Sequence, residues 1–302
     1  MFETLRRPVA PLSVSIVIPT LNEAKNIPDV FRRLPPDAEI ILVDGRSSDD
    51  TVRIACELRP DTVVVHQTRR GKGNALACGF AAATGDFIVM LDADGSADPG
   101  EIADFLDALR NGADFAKGTR FAHGGGSADI TRTRRLGNRG LCVLANLLFR
   151  RRFTDLCYGY NAFSRACLPA LGLEPGRHGG VRQWGDGFEI ETLIMLRVAM
   201  AGLRITEVGS FEQPRVHGES NLRAGSDGLR VLRTIVSERL RRHDVPVARA
   251  AAHGTVVSPG TPGTPGTPGT PGTPGTSTAG SPHQQGTGDH PDLAGTTSAS
   301  YA

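Results

Sequence analysis

"FIVMLDADGSADP", residues 87–99, decides how this chain reads. Its first half is an apolar run of the kind found in strands buried on both faces. The run ends abruptly in Asp92 and Asp94, followed by glycine, Asp98 and proline. Residues i and i+2 of a strand share a face, so the two carboxylates can converge at its end. Adjacent carboxylates repel each other unless something positive stands between them. A hard divalent cation with oxygen ligands, Mg²⁺ or Mn²⁺, resolves that conflict and leaves ligand positions for a diphosphate. The alternative is a pair of solvated aspartates in the turn before Pro99.

Strands of the same type recur upstream: "SVSIVIP" (13–19), "AEIILVDG" (38–45) and "TVVVHQ" (62–67). Between them, "TLNEAKNIPDVFRRL" predicts a helix from about Asn22, "DDTVRIACELR" a second and "GNALACGFAAAT" a third. Strands alternating with helices predict right-handed crossovers and a doubly wound, mostly parallel α/β sheet with helices on both faces. Ligands of such sheets sit outside the carboxyl ends of the strands. The polar clusters Pro19–Glu23, Asp44–Asp50 and Asp92–Asp94 fall at those ends.

From about residue 115 the texture changes. "ADFAKGTRF" reads as one more strand with its exit, and "AHGGGSADITRTRR" as a glycine-rich, basic loop. "LGNRGLCVLANLLFRR" predicts an amphipathic helix whose apolar band is Leu136, Val143, Leu144, Leu147 and Leu148, with Arg150–Arg152 behind it. Such a band is either core or a surface that lies on an anionic bilayer, and the pattern alone does not choose. "TDLCYGYNAFSRACLPAL" and "DGFEIETLIMLRVAMAG" complete the core, "LRITEVGSFEQPRVHGESNLR" adds a strand and a loop, and "DGLRVLRTIVSERLRRH" is a last helix. Beyond about residue 250 glycine returns every third position from Gly260 to Gly275, too briefly for a collagen helix, so a disordered tail is expected. The expected plan is an extension (1–12), one domain (13–245, with halves 13–120 and 121–245) and a low-complexity tail (250–302).

Composition bounds the function. With 302 residues, 39% apolar and 22% charged, the chain is globular, and a net charge of +2 gives no case for nucleic-acid binding. Lysine occurs only at Lys25, Lys72 and Lys117, so the basic residues are overwhelmingly arginine, the better planar fork for phosphate. The five cysteines form no CxxC pair, which suggests reduced thiols in a cytosolic protein. No signal-peptide pattern opens the chain, and no apolar run reaches the roughly 18 residues of a membrane span. The expected location is cytoplasmic, with peripheral contact at the inner membrane face.

Two families share parts of this pattern. "LDADGS" resembles the haloacid dehalogenase phosphatase motif, in which the first aspartate is a nucleophile. That motif normally lies on the first strand of its sheet, whereas three strand–helix units precede it here. "VSIVIPTLNE", "ILVDGRSSDDT", "RRGKGNALACGFAAATGDFIVMLDAD" and "FAKGTRF", in that order, resemble glycosyltransferase family 2, with its GT-A fold. The later "TDLCYGYNAFSR", "DGFEIET" and "EVGSFEQPRVHGESNL" are similar to its polyprenyl- or dolichyl-phosphate mannosyltransferase branch. This resemblance implies that Pro19 and Glu23 border the nucleotide pocket and that Asp44 meets the base or ribose. It puts Lys72 close to the nucleotide, Asp92 near ribose and metal, and Asp94 as the main ligand of Mg²⁺ or Mn²⁺. Arg120, Arg139 and Arg215 match the family's basic positions on the acceptor side. The chain departs from the family at Gly45 and Arg46, which replace the middle of its DDGS stretch, and at Asn221, where a lysine is common.

The chemistry so implied is one in-line displacement at the anomeric carbon of a nucleotide sugar, with inversion. The donor would be GDP-mannose or UDP-glucose. A phosphate-monoester acceptor such as polyprenyl phosphate is largely a dianion at cytosolic pH, so it needs arginines rather than a base. A hydroxyl acceptor on a glycan or other envelope precursor needs a positioned carboxylate, for which Asp186 and Glu189 are the candidates. Asp155 is expected to anchor the turn before "CYGYNAF".

Overall fold

The computed structural model describes residues 12–176, 180–218 and 224–241. Its elements run β1 (Val14–Thr20), α1 (Ile27–Phe31), β2 (Glu39–Asp44), α2 (Thr51–Leu58), β3 (Val63–His66), α3 (Lys72–Ala82), β4 (Phe87–Met90), α4 (Ile102–Arg110) and β5 (Phe115–Thr119). There follow β6 (Gly126–Ser127), α5 (Arg132–Phe149), β7 (Asn161–Ser164), α6 (Leu168–Leu171), α7 (Ile190–Met200), β8 (Ile205–Gly209), β9 (Phe211–Glu212) and α8 (Ala224–Leu240). The expected 1–12 extension (apart from Leu12), the low-complexity tail and Asn221 lie outside the described residues.

The main sheet has the order β3-β2-β1-β4-β7-β5-β8. Its pairs are parallel except those of β7, which runs antiparallel to both β4 and β5. The chain leaves β1 toward β2 and β3 on one side and returns as β4 on the other. The strand order therefore reverses between β1 and β4, and a doubly wound sheet opens its ligand crevice at such a reversal.

Alternation along the strands supplies both faces. Val17, Ile41, Val43, Ile88 and Met90 point into a core with residues of α3, α5, α7 and α8. Ile16, Ile18, Ile40, Leu42 and Val89 point into a second core with residues of α1, α2 and α4. Each such fully buried aliphatic chain contributes about 1.5–3 kcal/mol, so the strand register is strongly held.

Three sequence expectations change. The first helix begins at Ile27, not near Asn22. Asn22 takes the left-handed region (φ 58°), and the Glu23 carbonyl closes a turn by accepting from Asn26 and Ile27 N–H at 2.9 and 3.0 Å. The acidic pair is not on a strand, because β4 stops at Met90. It occupies the turn beyond, where Gly95 has φ +76° and the Asp94 carboxylate accepts from the Ser96 N–H and hydroxyl at 3.0 and 2.7 Å. The 122–135 segment is partly regular. β6 pairs with β9, and the Thr131 hydroxyl caps α5 by accepting from Arg134 N–H at 3.2 Å.

Candidate active site

The carboxyl ends of β1, β2 and β4 meet at one edge of the sheet, since all three are parallel. Pro19 is half-buried at the end of β1. Asp44 closes β2 and is buried. Its carboxylate accepts from Arg46 and Ser47 N–H at 3.0 and 3.1 Å and lies 3.4 Å from His66 Nδ1. Asp44 thus shapes the loop that carries Gly45 and Arg46, the two departures from the family pattern.

Both carboxylates of the acidic step hold an internal cation. Lys72 Nζ lies 2.7 Å from Asp92 Oδ1 and donates to Oδ2 at 2.8 Å. Arg215 reaches Asp94 Oδ2 at 2.9 Å and Glu23 Oε1 at 3.3 Å, so it bridges the β1 and β4 ends across the strand-order reversal. The segment carrying Arg215 is tied over the step by backbone bonds from Gln213 N–H to the Ser96 carbonyl (2.8 Å) and from Val216 N–H to the Asp94 carbonyl (3.2 Å). Burial pushes the Glu23 carboxyl above the ordinary range, and the nearby Arg215 offsets only part of that.

Lys72 opens α3 inside "RRGKG". Gly71, with φ +126°, and Gly73 leave room for the 185–186 backbone to lie directly against the helix start. A Cβ on either glycine would collide with the Asp186 or Gly185 carbonyl. The Lys72 ammonium also lies 2.7 Å from Glu191 Oε1. Burial favours a neutral amine, but the Asp92 and Glu191 charges outweigh it and hold this lysine above its ordinary range.

The Asp92 and Asp94 side chains are 34% and 13% exposed and offer two hard oxygen donors. Among the described residues no group of three or more His, Cys, Asp or Glu side chains is arranged to hold a metal alone. Two carboxylates suit a Mg²⁺- or Mn²⁺-type ion that keeps phosphate and water in its remaining positions. That two side-chain cations already converge on this step shows how strongly it attracts positive charge.

On the acceptor side the structure separates residues that the sequence grouped. Arg120, expected on the acceptor phosphate, is engaged inside the fold. It is buried, bidentate to Asp155 at 2.7 and 3.0 Å, and bonded to both Glu212 oxygens at 3.2 and 3.1 Å. Burial works against the Asp155 carboxylate, yet the bonds from Arg120 leave its pKa below the ordinary range. Asp155 also accepts from Cys157 N–H at 3.1 Å, which makes it the expected anchor of the turn. Asp186, the first candidate base, has both its oxygens bound by Arg69 at 2.8 Å inside a buried pair. It lines a cavity of about 290 Å³ together with Arg69, Trp184 and Arg197. Glu189 is buried and folds back on its own turn, accepting from Gly185 and Gly187 N–H at 3.2 and 3.4 Å. Arg139 is exposed on α5.

The apolar band of α5 divides. Leu144 and Leu148 pack on the core, while Leu136, Val143 and Leu147 are exposed, Leu136 and Leu147 by 72% and 73%. The adjoining α8 exposes Leu229, Leu232, Val236 and Leu240. Among the described residues no helix is long and apolar enough to cross a membrane.

The pattern of glycosyl transferase family 2 matches residues 15–172, just over half of the chain. The chain is 32% identical over 222 residues to the glycosyltransferase AglJ of Haloferax volcanii, covering 72% of this chain and 69% of that one. It is 30% identical over 229 residues to an undecaprenyl-phosphate mannosyltransferase of Micrococcus luteus, covering 72% and 90%. Glucosyl-3-phosphoglycerate synthase of Mycobacterium tuberculosis, solved with Mn²⁺, UDP and glucosyl-3-phosphoglycerate, superposes with a TM-score of 0.59 at 24% identity, over 76% of this chain and 80% of that one. The fold is therefore that of a GT-A glycosyltransferase. This chain belongs to glycosyl transferase family 2 and is a transferase, which sets aside the phosphatase reading of "LDADGS".

Proposed function

We propose that the protein transfers a hexose from a nucleotide sugar to a polyprenyl-phosphate-type acceptor, with inversion, at a membrane surface. The observation that carries this reading is the bridge from Arg215 to Asp94 and Glu23, which puts a guanidinium beside one of the two carboxylates that would hold the donor's metal. Asp92 and Asp94 would hold a divalent cation, which would supply neutralisation of the leaving nucleoside diphosphate. Asp44 and Pro19 border the nucleotide, and Lys72 adds a second positive charge near the diphosphate. Arg215 exchanges its carboxylates for the acceptor phosphate, orienting that dianion toward the anomeric carbon.

A phosphate acceptor needs no base, and this agrees with the commitment of Asp186 to Arg69. A hydroxyl acceptor, the alternative, would have to free Asp186 or draw on Glu189, whose buried Oε2 has no hydrogen-bond partner among the described residues. The membrane contact is supported by the exposed leucines of α5 and α8. Between Ile130 and Thr154 the chain carries seven arginines and no acidic residue. An apolar ridge flanked by arginine suits an anionic lipid surface, and two copies of it would repel each other. Relatives named for undecaprenyl-phosphate mannosyl transfer favour the same acceptor class.

The test is to incubate purified protein with Mg²⁺ or Mn²⁺ and labelled GDP-mannose or UDP-glucose, with and without polyprenyl phosphate. Labelled lipid with stoichiometric release of nucleotide is expected. Release only with a sugar hydroxyl acceptor would overturn the acceptor assignment.

A further inference from the structure

Glu191 lies inside "DGFEIET" but carries none of the roles that the resemblance implies, and its carboxylate is buried in the first turn of α7 against Lys72. Lys72 is the hub of a compact cluster. Its ammonium touches both Asp92 oxygens and Glu191 Oε1, all at 2.7–2.8 Å. Gly159 forms one wall. A Cβ there would stand 2.9 Å from the Lys72 nitrogen and 3.2 Å from an oxygen of each carboxylate.

The charges do not cancel, since two carboxylates share one ammonium. If Lys72 had only Asp92, every cation taken up by Asp92 would have to displace the lysine from its sole counter-ion. Glu191 gives the ammonium a second, water-shielded anchor. Asp92 can then turn to a metal while Lys72 stays close enough to act on a diphosphate. We infer that Glu191 is a positioning residue of the donor site, holding the Lys72 ammonium so that the lysine and a divalent cation serve one nucleoside diphosphate together. This inference rests on the donor-site reading proposed above.

The experiment is calorimetric titration of the full chain with Mn²⁺ alone, and then with GDP and UDP in the presence of Mn²⁺. The proteins are the native chain, Glu191→Gln, Lys72→Met and the double variant, each checked for thermal midpoint. Glu191→Gln should weaken Mn²⁺ and Mn²⁺-nucleotide binding about tenfold, as loss of a residue supporting a metal ligand commonly does. In the Lys72→Met background the same change should cost less than about twofold, because the lysine through which it acts is gone. Gly159→Ala removes no charge but crowds the ammonium and both carboxylates, so it should weaken binding in the same direction if Glu191→Gln folds poorly. Unchanged binding in a folded Glu191→Gln protein, or an equal loss with and without Lys72, would overturn the inference and leave the donor site standing. If the native chain bound neither nucleotide with Mn²⁺, the inference and the donor-site reading would fall together.

Discussion

Arg120 and Arg215 each bridge two carboxylates, and the two clusters differ chiefly in burial. The Arg120 side chain is 3% exposed, against 0% for Asp155 and 10% for Glu212. That of Arg215 is 24% exposed, against 15% for Glu23 and 13% for Asp94. The Arg120 bonds close a knot between the β5 exit, the 154–158 turn and β9, where water cannot replace a lost partner. The Arg215 bonds stand at the rim, where a diphosphate, a metal or an acceptor phosphate can take over each of them. Position in sequence does not distinguish the two arginines, since both match basic positions of the family. Burial does: it locks Arg120 into the fold and leaves Arg215 within reach of the chemistry proposed for the acidic step.

The contrast can be broken by substitution. The largest effect is expected at the buried knot. Arg120→Met or Asp155→Ala should cost about 3–5 kcal/mol of unfolding free energy, because a buried charge loses its partner. Arg215→Ala should stay within about 1 kcal/mol in the same denaturant titrations. Similar losses for both would erase the distinction. Acid titration sharpens it. The folded Asp155 pKa lies below its unfolded value of about 3.9. Its stabilisation is therefore complete above that value and lost as pH falls through the folded pKa. Native protein should lose stability more steeply below about pH 4 than Arg120→Met, which has already given up that contribution.

Effects on turnover come next. Asp94→Asn should lower transfer about a hundredfold or more while leaving the thermal midpoint near native. Arg215→Ala should raise the acceptor Michaelis constant about tenfold, the scale of one charge-assisted contact, with little change for the donor. A larger donor effect would move Arg215 into the nucleotide site. The smallest effect on the isolated protein is expected at Leu136→Ser with Leu147→Ser. Stability should change by no more than about 0.5 kcal/mol, while co-sedimentation with anionic vesicles should fall. Undiminished sedimentation would remove α5 from the membrane contact.

The sequence carried the first half of the sheet plainly. "SVSIVIP", "AEIILVDG" and "DFIVMLDAD" have the length and β-branched content of doubly buried strands, and their polar exits lie at one edge as parallel strands require. β7 was not legible, because "NAFS" is too short to show a period and owes its place to the gap between β4 and β5. The early start assigned to the first helix failed because residues 22–26 are bent to deliver Glu23 and Asn26 to the site. The ion pairs were hidden for another reason. Lys72 with Glu191, Arg69 with Asp186 and Arg215 with Glu23 join residues more than a hundred positions apart, and no local spacing encodes them. The repeated acidic and basic residues around "GKG", "DGFEIE" and "QPRVHG" were visible, but which of them meet was decided by the fold.

The most direct measurement is a crystal structure of the protein soaked with Mn²⁺ and GDP or UDP, with manganese located by its anomalous signal. The account expects manganese on Asp94, the diphosphate beside it and near Lys72, and Arg215 released from Asp94. Nucleotide bound elsewhere, with Arg215 still closed on Asp94 and no manganese at the step, would contradict it.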